Sequence, residues 1–144
     1  MTSEASDGQD SSSPTVLDLT RATGLWVVLS SSPTRYFVDT RGLLLRNHGV
    51  GSPRLPFDDE WVPLVQVRSY DPVTLESVAN QVRCGARIYY LTDPRGGALD
   101  YEWRLQRTVT AIRQVSAVEA KEMYERVPLP DTPLVPEWAS ERPR

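Results

Sequence analysis

The sequence holds one cysteine, one histidine and one lysine among 144 residues. With Cys84 alone, no internal disulfide and no cysteine-based metal site can form. Long hydrophobic runs are missing as well. The longest is Leu25 to Leu29, far short of the roughly 18–20 residues that cross a bilayer. Residues 1–14 carry no Lys or Arg and no apolar stretch, so no secretory leader is expected. These absences predict a cytoplasmic protein without membrane contact. Lys121 is the only lysine, and every other basic side chain is arginine, a usage that fits a GC-rich genome.

What is present is unevenly spread. The net charge is -3. Residues 1–20 carry four acids and no base. Residues 21–115 carry twelve arginines against nine acids, and residues 116–144 four bases against six acids. A mildly basic middle thus lies between acidic ends. Three segments are expected: a disordered acidic tail over 1–20, a β-rich domain over 21–126 and a Pro-rich tail over 127–144. The first has too little to bury to offset its ordering entropy. In the last, Pro128, Pro130, Pro133 and Pro136 favour an extended chain.

Within the middle segment, short apolar runs alternate with turn residues. Gly24–Ser30, Arg35–Asp39 and Leu43–Arg46 are separated by Ser31-Ser-Pro33 and Thr40-Arg-Gly42 and read as a β-meander. Alternation puts Trp26 with Val28, Tyr36 with Val38, and Leu43 with Leu45 on shared faces. Trp61–Ser69 reads as a fourth strand, placed at an edge or a bulge by Pro63. In residues 71–82, Leu75, Val78, Ala79 and Val82 fall at helical spacing behind Asp71-Pro72, which predicts one or two helical turns. Arg87–Thr92, Tyr101–Arg107 and Val109–Val115 complete the strands, the first two joined by a turn at Asp93-Pro-Arg-Gly-Gly97. Ser116 and Glu119 form a capping box that opens a helix near 117–126. The fold expected is mainly β, a small antiparallel barrel or rolled sheet of six to seven strands with one or two short helices.

Three of these pieces together resemble small actinobacterial and actinophage proteins of unknown function: Trp26-Val-Val, the stretch Ser32 to Asp39, and Arg107-Thr-Val-Thr-Ala-Ile112. The resemblance implies a β-domain over roughly 24–115. It implies no activity and no site residues.

Candidate chemistry is sparse. His48 lies in a turn, and Asp58, Asp59 and Glu60 follow about ten residues later. Folded together they could serve as a general base or a divalent-metal site, although a solvated loop histidine is the simpler arrangement. Cys84 lies near Arg83 and Arg87 but more simply fills a small buried space. No cofactor motif is present and none is expected. On the later strands Arg83, Arg87, Arg95, Arg104, Arg107 and Arg113 interleave with Tyr89, Tyr90, Tyr101 and Trp103. One basic aromatic face of this kind could stack bases and contact phosphates. The simpler arrangement buries Tyr101, Trp103 and one of the paired tyrosines, and leaves the arginines solvated. Leu134 and Trp138, in the Pro-rich tail, suit a docking segment.

The leading expectation is a non-enzymatic interaction module that contacts a protein partner or a second copy. Its candidate residues are Arg87, Tyr89, Arg104, Arg107, Leu134 and Trp138. A nucleic-acid-binding small barrel comes second, and an enzyme using His48 with the acidic loop third.

Overall fold

The computed structural model describes residues 13–96 and 100–142. Its strands are β1 (Val16–Asp18), β2 (Leu25–Ser30), β3 (Arg35–Asp39), β4 (Leu43–Asn47), β5 (Trp61–Tyr70), β6 (Ser77–Ala79), β7 (Gln81–Arg83), β8 (Arg87–Thr92), β9 (Glu102–Gln106) and β10 (Val109–Gln114). Helix α1 (Ala117–Arg126) and a 3-10 turn, Glu137–Glu141, follow. The protein is mainly β. One antiparallel sheet runs β10-β2-β3-β4-β5-β8-β9 with β6 added to β5, and β1 pairs with β7 apart from it. Among the described residues no ladder joins β9 to β10, so the expected closed barrel is not formed.

The apolar runs are continuous because both faces of β2–β4 are covered. Trp26, Val28, Tyr36, Val38, Leu44, Val62 and Leu64 enter one buried cluster. Leu25, Val27, Phe37, Leu43, Leu45 and Trp61 enter a second, closed by Met123 of α1. Each such side chain contributes about 1.5–3 kcal/mol on burial. Ser116 caps α1 by accepting from the Glu119 amide at 3.2 Å, as the capping box predicts. The inner face of β3 meets that of β8, where the Tyr36 and Tyr90 rings stack at 5.0 Å. The segments that carry the resemblance lie side by side as β10, β2 and β3.

Two expectations are corrected. Residues 71–82 form no helix. Asp71 does cap, accepting from the Val73 and Thr74 amides at 2.8 and 3.0 Å, but Leu75 turns left-handed at φ 65°. The chain then returns as β6 and β7, and Leu75 is exposed. Of the two settings expected for Pro63, an edge or a bulge, the bulge is found: strand β5 is interior, between β4 and β8, and its register shifts between Leu64 and Gln66, which reverses the phase of the strand.

The second correction concerns the tails. Residues 1–12 lie outside the described residues, but Leu17 and Leu19 are buried. The described part of 127–144 packs on the sheet. Trp138 is 0% exposed and donates its indole N–H to the Thr40 carbonyl at 2.9 Å. Pro136 lies against Gly42, where a Cβ would come within 2.9 Å of it. Gln66 donates to Glu137 at 2.9 Å, Asn80 to Glu141 at 3.2 Å, and Arg142 to the Leu19 carbonyl at 2.6 Å.

Candidate interaction surface

Helix α1 covers the outer face of the sheet over β2–β4. Over β5, β8 and β9 that face is more open. Register fixes which side chains share it. Arg68 pairs with Tyr89, Tyr70 with Arg87, Tyr89 with Leu105 and Leu91 with Trp103. Their neighbours Ser69, Ile88, Tyr90, Arg104 and Gln106 alternate inward and are buried. Trp103 is 52% exposed and Leu105 46%. Tyr70 and Tyr89 meet edge to face at 4.7 Å, and Tyr89 and Trp103 at 5.9 Å. Arg107 continues the outward parity of β9 and is exposed. No carboxylate occupies an outward position in β8, β9 or the second half of β5. The side chains of Arg68, Arg87 and Arg107 make no hydrogen bond or ion pair among the described residues.

The face thus gathers Arg87, Tyr89 and Arg107, as the sequence suggested. It adds Arg68, Tyr70 and Leu105, whose signal was the phase of β5 beyond its bulge and the alternation of β9. Arg104 is not on it. Its side chain turns inward and donates to the Pro56 and Trp103 carbonyls, with Glu102 at 3.5 Å. The predicted burial of Tyr101 and Trp103 is reversed for the same reason. The polar side chains opposite Trp103 are fully bonded inside: Gln106 accepts from the Tyr90 hydroxyl at 2.7 Å and donates to the Val28 carbonyl at 2.9 Å. A buried polar group costs little once its partners are supplied. The two tail residues are also elsewhere. Leu134 is half-buried beside α1, and Trp138 is in the core.

The acidic loop does fold toward His48, whose Nδ1 is 3.6 Å from Asp59. Asp58 and Asp59 are committed, however, and Glu60 is exposed. Asp58 holds Arg46, and Asp59 accepts from Arg54 at 2.8 Å and Asn47 at 3.0 Å. Among the described residues no three His, Cys, Asp or Glu side chains gather as metal ligands. Burial raises the pKa of the Cys84 thiol, away from the reactive thiolate.

A cavity of about 620 Å³ lies between α1, the 3-10 turn and the β3–β4 turn. At its wall Asp39 accepts from Arg41 Nη2 at 2.8 Å and from the Tyr124 hydroxyl. Tyr124 stacks on Trp61 at 5.2 Å. This cluster fastens α1 to the sheet. Burial first, then the bond to Asp39, pushes the Tyr124 phenol up to about 12. The folded state therefore keeps a proton that the unfolded chain loses near pH 10, and stability falls as pH rises from about 10 to 12. Alkaline denaturation followed by circular dichroism should show that decline, and Tyr124→Phe should make it shallower. An unchanged slope in the variant would remove Tyr124 as its source.

Compared with known proteins, the chain matches no family model, no curated protein and no solved structure. Among the described residues no helix is long and apolar enough to cross a membrane.

Proposed function

We propose that this chain is a non-enzymatic protein-binding module, a rolled sheet whose recognition surface is the outer face of β5, β8 and β9. The supporting observation is the half-exposed Trp103 and Leu105 beside Arg68, Arg87 and Arg107, whose side chains have no ion-pair partner among the described residues. Tryptophan, tyrosine and arginine are the residues that dominate binding energy at protein interfaces. A face whose strands carry three such arginines and no outward carboxylate among the described residues, with Glu137 reaching it through its bond to Gln66, is complementary to a partner that presents acidic side chains around an apolar contact. The chain's acidic balance, with a sequence pI of 5.2, favours a protein over a nucleic acid, whose binders carry a strongly basic footprint.

One observation favours single-stranded nucleic acid as a second reading: rings and guanidinium groups share this face. Salt separates the two. Three phosphate contacts to a single strand give a slope of log affinity against log salt of roughly -2.

The test places a photo-crosslinking residue at position 103 and, as a control, at the exposed Val118 on α1. An adduct specific to 103, lost when Arg68 and Arg87 become glutamate, supports the reading. Identical adducts from both positions, or none, would sink it. Oligo-dT binding with the stated slope would replace it by the second reading. Trp103→Ser gives up half-buried area and the ring contact with Tyr89 and should cost about 1–3 kcal/mol, so its loss of binding is read beside its urea midpoint.

A further inference from the structure

A small polar cup opens beside the end of β9. Ser30, Ser32, Thr34, Tyr36, Arg46, Ser52, Pro53, Leu105, Gln106 and Arg107 line it, around a space of about 110 Å³. That is the volume of a few water molecules, the scale of one tetrahedral oxyanion. No carboxylate is among the lining residues.

The hydrogen bonds make the cup a donor site. Four of the five hydroxyls already use acceptor capacity. Ser30 Oγ accepts from the Ser32 amide at 3.2 Å, and Ser32 Oγ from the Thr34 amide at 3.2 Å. Thr34 Oγ1 accepts from the Gly49 amide at 3.1 Å. The Tyr36 hydroxyl accepts from Arg46 Nε at 3.0 Å. Ser32 and Ser52 share one bond at 3.2 Å, so one of their two protons is left over. An oxygen that accepts in this way keeps its proton for something else. Arg107 supplies a cation with no partner among the described residues. Behind the cup, the charge of Arg46 is balanced by Asp58, which itself accepts from the Leu55 amide at 2.8 Å. Burial raises the pKa of the Tyr36 phenol, so it remains a donor at neutral pH.

We propose that this cup binds the terminal oxyanion of a phosphate monoester, held by Arg107 and by the hydroxyls of Ser30, Ser32, Thr34, Tyr36 and Ser52. Walls from the β2–β3 turn, β4, the loop that follows it and β9 surround one end group and leave little room for a strand continuing in both directions. This disfavours a phosphodiester. The cup shares Leu105 and Arg107 with the proposed docking face, but Ser32, Thr34 and Ser52 lie away from that face, and Arg68 and Arg87 lie away from the cup, so variants at those positions tell the two readings apart.

Titrations with inorganic phosphate, a phosphoserine peptide and oligo-dT, followed by amide chemical shifts and calorimetry on the full chain, test this. Saturable shifts at Ser32, Ser52 and Arg107 are expected, with phosphate binding in the millimolar range. Arg107→Gln should weaken binding about tenfold or more, the effect of removing a charged hydrogen-bond partner. Ser52→Ala should weaken it a few-fold, and Arg87→Gln should leave it unchanged. Both altered cup residues are at least partly exposed, so the variants keep the fold. Tighter binding of the peptide than of inorganic phosphate identifies a phosphorylated side chain as the source, and equal binding a small phosphate ester. No saturable shift, equal loss in Arg87→Gln and Arg107→Gln, or oligo-dT occupying the cup as tightly as the peptide would each overturn the proposal.

Discussion

Replacing Trp138 with alanine is expected to lower the free energy of unfolding by about 3–5 kcal/mol, the range for removing a large buried aromatic side chain. The indole is completely enclosed. It packs with Leu17, Leu19, Leu64 and Val67 in the larger cluster. Its N–H serves the Thr40 carbonyl, so the substitution also leaves a buried acceptor without its donor. Ending the chain at Val127 removes the same side chain together with the bonds that Gln66 and Asn80 donate to the 3-10 turn and the one that Arg142 donates to the Leu19 carbonyl. It should cost at least as much. Urea denaturation measures both. If either variant unfolded at the same midpoint as the parent, Trp138 would be no part of the core, and the Pro-rich stretch would return to being a free docking segment.

Asp58→Ala should destabilise by a similar amount, about 3–5 kcal/mol. The side chains of Arg46 and Asp58 are 12% and 0% exposed, so the alanine strands a guanidinium away from water. The Leu55 amide and the arginine both lose their acceptor. Replacing both partners, as in Arg46→Met with Asp58→Leu, should recover most of the loss, because matched apolar groups avoid the desolvation penalty. A double-mutant cycle in urea gives the coupling. A cost for Asp58→Ala below about 1 kcal/mol would mean that solvent screens the pair.

Legibility differs along the chain for physical reasons. Strands β2–β4 follow from alternation, since their side chains are apolar on both sides and the turn residues mark their ends. The capping box of α1 is equally plain, because it depends on residues three apart. The error at 71–82 arises where local and tertiary signals disagree. Asp71 caps as a helix start would, yet Val82 is buried by pairing with Leu17 of β1, a contact that no local spacing reveals. Trp103 is misplaced by a rule about residue type. Alternation groups it with Tyr101 and Leu105, but cannot tell that Arg104 and Gln106 find partners inside. The proposed docking face was half visible for the same reason: Arg87, Tyr89 and Arg107 share it, whereas Arg68 and Tyr70 depend on a bulge at β5. The proposed cup was not visible, since the hydroxyls within residues 30–36 read as an ordinary turn and only the finished sheet brings Ser52 and Arg107 to them.

The bond from Arg142 to the Leu19 carbonyl joins residues 123 positions apart. β10 likewise reaches back to β2 across most of the chain. Such contacts can form only after very long loops have closed, and loop closure costs entropy before any contact offsets it. The hairpins of β2, β3 and β4 carry short connections and need no such wait. Assembly speed in this molecule is therefore governed by its distant pairings, which places it among slow-folding high-contact-order topologies.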